Sequence, residues 1–329
     1  MTLLVFVWTL GGVGAIVAFA TSLLTLAVPW SDTVAPARRA DAAWMMGAAP
    51  AVTSGLVMLA TAVPGLRALT RASADHCAGH AHHAHLCWEH GPSTLHAVAL
   101  FGGLWWAALV ISAAQWMYDA VRSAQLALAL ESIGAPVPGR DLGVVRVPTS
   151  TPLCHAVGLL RPRVLISDRV WDALPDDERG AVIAHELAHL RRRDPAAASG
   201  LALLSLAAWP GAAQRWRDRW RAAAEEAADA DGADATDPTT LAAALVRVAR
   251  LHLADAPGLA ATPHALDARV ARLLDGPAPA ARSRLVQHMA VVAAVAVALA
   301  LGAADPVHDV VEDAVSAVTH AVAASYYLQ

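Results

Sequence analysis

Four stretches of this chain are apolar for long enough to cross a lipid bilayer: Leu3 to Trp30, Ala42 to Leu66, His96 to Met117 and Leu285 to Gly302. A hydrocarbon core about 30 Å thick is spanned by about 20 helical residues. Within it each backbone N–H and C=O must find a partner inside the segment, which a helix provides. Composition agrees, with 57% of residues hydrophobic and 16% charged. The expected fold class is mainly α, a polytopic membrane protein with about four transmembrane helices and the lipid bilayer as its surroundings. Trp30, Trp44 and Tyr118 fall near the expected helix ends, where aromatic rings favour the interface. No positive side chain precedes the first apolar run, so that segment reads as a retained anchor rather than a removable signal peptide.

The sequence has no lysine, so orientation is read from arginine. Arg122 follows the third span and Arg282 and Arg284 precede the fourth, whereas Asp305, Asp309, Glu312 and Asp313 follow it without any arginine. Positive charge is retained on the cytoplasmic side. The chain then divides into residues 1–118, three spans with an outer loop at 67–94; residues 119–284, a cytoplasmic α+β domain; residues 285–303, the fourth span; and residues 304–329, a short acidic tail. In a bacterial-type plasma membrane the N-terminus and that tail would lie outside. Val310, Val311, Val315 and Val318 give the tail near-helical apolar spacing, as in a surface helix or a partner-binding segment.

The chemistry is concentrated in AVIAHELAHLRRRD, Ala181 to Asp194. On a helix, positions i and i+4 share a face, so His185 and His189 would offer two imidazoles to one metal ion. Glu186 would lean over the same ion without ligating it and take a proton from water. No helix breaker interrupts the stretch, and Pro195 should end it near Asp194. Solvated histidines on an amphipathic surface helix are the alternative, so a third ligand decides. Glu225 and Asp229 form a second i, i+4 pair downstream in RAAAEEAADADGAD. Two histidines and a carboxylate leave one position open on zinc, the catalytic arrangement. Asp229 would then fix the tautomer of a ligating histidine. The competing reading is an acidic, solvated helix end, because Glu226, Asp231 and Asp234 crowd the same region.

Val144 to Val147 and Arg163 to Ile166 read as short strands. An extended peptide substrate pairing along an exposed sheet edge would be held over the metal with little dependence on sequence. Cys154 and His155 lie between these strands; both have a structural reading, and for His155 polarisation of the scissile carbonyl is the alternative. Ala196 to Gly211 is apolar but short for a crossing and reads as a buried or membrane-apposed helix. In RWRDRW, Arg215, Trp216, Arg219 and Trp220 suit lipid headgroups. Direct nucleic-acid binding is disfavoured by a net charge of −4 and the lack of any recognition motif.

The outer loop holds His76, Cys77, His80, His82, His83, His85, Cys87 and His90. Three readings stand side by side: a metal site, a Cys77–Cys87 disulfide in an oxidising compartment, and a solvated loop. A metal- or pH-responsive trigger would require the loop's ligand to favour one arrangement of the flanking spans.

Taken together, GLLRPRVLIS, AVIAHELAHLRRRD, a short apolar segment ending in WP, the EEAAD helix, ALDARVARLL and a final span resemble the BlaR/MecR-type membrane zinc metallopeptidases. The resemblance covers roughly Ser123 to Gly302. It implies a gluzincin-like peptidase domain with one catalytic zinc ion held by His185, His189 and Glu225, Glu186 as base and Asp229 behind the ligands. The implied substrate is a protein or peptide, and in signalling a cytoplasmic DNA-binding repressor. The motifs are also similar to those of HtpX-like and CAAX-prenyl-type membrane proteases, whose role would be quality control. Thr262, Pro263, His264 and Arg269 echo a segment of that group, and His264 and Arg269 are candidates for substrate or oxyanion contacts. Sensor members carry a penicillin-binding domain after the last span; about 27 residues follow Gly302 here, so this reading has no antibiotic acylation. A non-enzymatic metal sensor based on the His-rich loop is the third functional class.

Overall fold

The computed structural model describes residues 2–70, 96–138, 143–159, 161–255, 263–276 and 302–326. His76, Cys77, His80, His82, His83, His85, Cys87 and His90 lie outside the described residues, as does nearly all of the expected fourth span.

Among the described residues three helices are long and apolar enough to cross a membrane: α1 (Thr2–Ala27), α2 (Pro36–Thr70) and α3 (His96–Ile133). α1 packs against both of the others. The close crossing of α1 and α3 uses small residues, since a Cβ on Gly102 would lie 1.8 Å from Trp8 O. Hydroxyls in α1 return to their own helix, Thr9 to Val5 O and Ser22 to Ala18 O, which satisfies them without water. α3 departs from expectation by running 38 residues, well past Met117. Nothing in DAVRSAQLALALESI breaks a helix, and the first stop is Gly134.

Beyond α3 comes a four-stranded sheet of β1 (Ala135–Pro136), β2 (Val144–Val147), β3 (Cys154–Val157) and β4 (Arg163–Ser167), ordered β1-β2-β4-β3. β2 and β4 pair in parallel; β3 pairs with β4 antiparallel and forms one edge, with β1 at the other. The turn between β3 and β4 depends on Gly158, whose φ is +94° and where a Cβ would meet Arg161 O at 2.5 Å.

Helices α4 (Asp168–Ala173), α5 (Asp176–Arg192), α6 (Asp194–Leu204), α7 (Pro210–Ala235), α8 (Pro238–Asp255) and α9 (Pro263–Asp275) follow, and α10 (Ala304–Tyr326) is the tail. One core joins Val144, Val164 and Ile166 of the sheet to Val182, Ile183, Leu187 and Leu190 of α5. Each such side chain contributes roughly 1.5–3 kcal/mol on burial. A second core joins α2 to the rest of the domain, with Trp44 and Ala48 against Leu201 of α6 and Trp216 and Trp220 of α7. The expected headgroup role of RWRDRW is therefore corrected: Trp216 is 1% exposed, and its indole N–H donates to Thr25 Oγ1 of α1 at 3.2 Å. Arg219 lies over the rings of Trp30 and Trp216. The tail does form a helix, but its buried stripe is Ala304, His308 and Glu312, while Val310 is 67% exposed. His308 Nδ1 sits 2.8 Å from Thr61 O, which places this stripe on α2.

Candidate metal centre

Helix α5 is built to present its histidines. Asp176, Asp177 and Glu178 occupy its first turn and His189, Arg191 and Arg192 its last, in accord with the helix dipole. The stretch from Ala181 to Ala188 is buried throughout, so His185 and His189 face α7 rather than water. Their ring planes lie 84° apart and their Nε2 atoms 3.2 Å apart. α7 can approach this closely because position 232 is glycine; a Cβ there would lie 3.3 Å from His185 Cα.

From α7, Glu225 Oε2 lies 3.6 Å from His185 Nε2 and Glu225 Oε1 lies 3.7 Å from His189 Nε2. The three donors form a group able to hold a metal ion. Zinc bonded at 2.0–2.2 Å in a tetrahedron places its ligand atoms about 3.4 Å apart. The two Nε2 atoms, 3.2 Å apart, and the two oxygens of Glu225, each within 3.7 Å of one of them, are spaced on that scale. The chemistry of the donors, two neutral imidazoles and a carboxylate, also suits zinc.

The other ring nitrogens are backed by carboxylates. Asp229 Oδ1 lies 3.1 Å from His185 Nδ1, off the axis of a well-aligned hydrogen bond. Asp194 Oδ2 lies 2.7 Å from His189 Nδ1. Both leave Nε2 facing the centre, which is how ligating histidines are oriented. Asp194 was not singled out from the sequence. It reaches His189 because α5 ends at Arg193 in the left-handed region, φ 58°, and α6 starts at once with Pro195 in its first turn. The only sequence signal was a carboxylate beside the expected helix stop.

Glu186 is buried beside His185 and accepts the Ala156 N–H of β3 at 2.8 Å. The carboxylate is thereby fixed between the helix and the sheet edge. β3 itself was missed as a strand; four residues with one alanine and one histidine carry little strand signal. Along it Cys154 is buried and His155 is exposed. Burial, then the charge of Glu186, push the Cys154 thiol well up, so it stays protonated.

Arg269, expected at the substrate, is spent on carboxylates. Its Nε and Nη2 donate to Asp229 at 2.8 and 2.7 Å, and its Nη1 lies 2.9 Å from Glu225 Oε2. His264 falls in the first turn of the same α9, with its side chain outside the description. The electrostatics follow from this packing. Burial alone would lower the His185 pKa, but Asp229 and Glu225 overcome it and raise it from 6.5 to about 10. Burial would raise Glu225, yet His185 and Arg269 bring it from 4.5 down to about 2. Asp229 is lowered in the same way, against its burial, by Arg269 and His185.

Residues 5–231, from α1 through both helices of the centre, match the sequence profile of the BlaR1 peptidase M56 family. The chain belongs to the M56 peptidase family. Among the residues of this M56 peptidase within the match are His185, Glu186, His189, Asp194, Glu225 and Asp229; Arg269 and α10 lie beyond it. Neither the curated proteins nor the solved structures give a match. With three apolar helices and membership of a membrane peptidase family, it is a membrane protein.

Proposed function

We propose that this M56 peptidase is a zinc-dependent endopeptidase that cuts an extended segment of a protein at the cytoplasmic face of the membrane. The observation that carries the reading is the triangle of His185, His189 and Glu225 with Glu186 at its side, tied to the edge strand β3. These three residues would hold one zinc ion, which supplies Lewis acidity at the scissile carbonyl and acidifies water. Glu186 takes the proton of the attacking water on its carboxylate and passes it to the leaving amine. Asp229 and Asp194 hold His185 and His189 with Nε2 inward. The free edge of β3 aligns the peptide backbone next to Glu186, and the Ala156 N–H, now on Glu186, lies where a substrate carbonyl would seek a donor.

The substrate in this reading is a DNA-binding transcriptional repressor, and release of that repressor is the signal output. Glu186→Gln is expected to keep its zinc, measured as metal per purified protein, and to cleave at least about 100-fold more slowly. Equal cleavage by both proteins rejects Glu186 as the base. The same variant serves as a trap: one co-purifying repressor supports signalling, whereas a broad set of membrane proteins supports quality control.

A further inference from the structure

Two consecutive glutamates on α7 are held by arginines of two other helices, α9 and α2. Glu225 turns to the histidine pair and Arg269, while Glu226, about 100° further round the helix, turns to Arg272 of α9 and Arg39 of α2. Arg39 Nη2 donates to Glu226 Oε2. Its Nε donates to Val34 O at 3.0 Å and its Nη1 to Asp32 Oδ1 at 3.1 Å, so all three arms of the guanidinium are fixed. Arg272 Nη2 lies 3.4 Å from the other oxygen of Glu226. The side chains of Arg39 and Glu226 are each 11% exposed. A cavity of about 190 Å³ lined by Pro36, Glu226, Asp229, Arg269 and Arg272 runs between the two sets.

A buried ion pair is a poor source of stability, because desolvation offsets the attraction, but removal of one partner strands the other's charge. The geometry of such a pair is therefore stiff. We infer that Arg39 is a positioning residue for the metal centre: by gripping Glu226 it fixes the rotation of α7, and with it the direction in which Glu225 points. This rests on the reading of His185, His189 and Glu225 as a zinc site. Rotation matters because Glu225 has two suitors, the imidazole pair and the Arg269 guanidinium, on neighbouring bearings. Arg39 belongs to a membrane-crossing helix, so a displacement of α2 reaches the residue next to the third ligand through this buried ion pair, beside the apolar packing of Trp44 on Trp216 and Trp220. The pair Arg269 and Arg272, three residues apart on one face of α9, keeps that helix in register with both glutamates.

The test uses the full chain in detergent micelles, with zinc titrated against a chelating indicator and with unfolded casein as the cleavage probe. Arg39→Gln and Glu226→Gln should each weaken zinc binding by about 10-fold. The double variant should lose no more than either single one, because both break the same contact. Arg39→Lys restores the charge without the three-armed fork and should recover part of the affinity, while melting of the metal-free protein stays at the wild-type value. Zinc affinity within about twofold of wild type in Arg39→Lys and Arg39→Gln overturns the inference, as do additive losses in the double variant. Should Arg39→Gln fail to fold, Arg39→Lys alone decides: unchanged affinity overturns the inference and a reduced one supports it. A wild-type protein that binds no zinc would instead overturn the proposed function itself.

Discussion

His185 is the most heavily compensated residue of the site, buried to 3% exposure among Glu186, Glu225 and Asp229. Without metal it carries a proton, since those carboxylates raise its pKa from 6.5 to about 10. A raised pKa stabilises the fold fully below 6.5, and that contribution is lost as pH climbs to about 10. Glu225, lowered from 4.5 to about 2, contributes above 4.5 and loses it as pH falls toward 2. The metal-free melting temperature should therefore decline between pH 6.5 and about 10, and His185→Gln should flatten that decline. A full slope in the variant would place the alkaline loss on another group. Zinc must displace the same proton, so its affinity should rise with pH across this range. Asp194 adds a second expectation. Asp194→Asn should weaken zinc about 10- to 100-fold through the His189 ring, in a titration where Glu186→Gln shows no change; equal affinity would make Asp194 merely a helix-start residue.

At the scale of elements, the join between α5 and α6 does what neither helix does alone. Arg193 occupies the left-handed region, which costs a side chain about 1–2 kcal/mol, and it returns the chain so that Asp194 lies under His189. Arg193→Gly should keep activity and gain up to about 1 kcal/mol, whereas the β-branched Arg193→Val should lose at least as much. Chemical denaturation distinguishes the two, and equal stability would mean that the join is not strained. The same join shows where sequence stops being informative. His185, His189 and Glu186 were legible because i, i+4 spacing on an unbroken helix is a geometric statement, and Glu225 with Asp229 repeats it. Asp194 was not, since RRRD contains no glycine to announce a left-handed turn. β3 was too short to show alternation, and the alternating arginines and tryptophans of α7 described headgroup binding as well as they described the protein interface that they form.

For the whole molecule, the membrane segments are part of the frame that shapes the centre. Trp44 donates to Ala197 O of α6 at 2.9 Å, the Trp209 N–H at the start of α7 donates to Ser22 Oγ of α1 at 3.0 Å, and Arg163 of β4 donates to Glu131 of α3 at 3.2 Å. The unbroken length of α3 gives this frame a mechanical character. At 1.5 Å per residue its 38 residues form a rod of about 57 Å, of which about 24 Å lies past Met117, the expected end of the span. A rod pivoting at its midpoint by about 10° swings each end by about 5 Å, and helices change tilt by such amounts when bilayer thickness changes. With such a tilt α3 would act as a lever on the sheet, which it meets at β2 and, through Glu131 and Arg163, at β4. Cleavage of one substrate in vesicles of progressively longer acyl chains should pass through a maximum. A rate indifferent to thickness would mean that the lever is clamped by the contacts around it, and that the bilayer is a support and not a control surface.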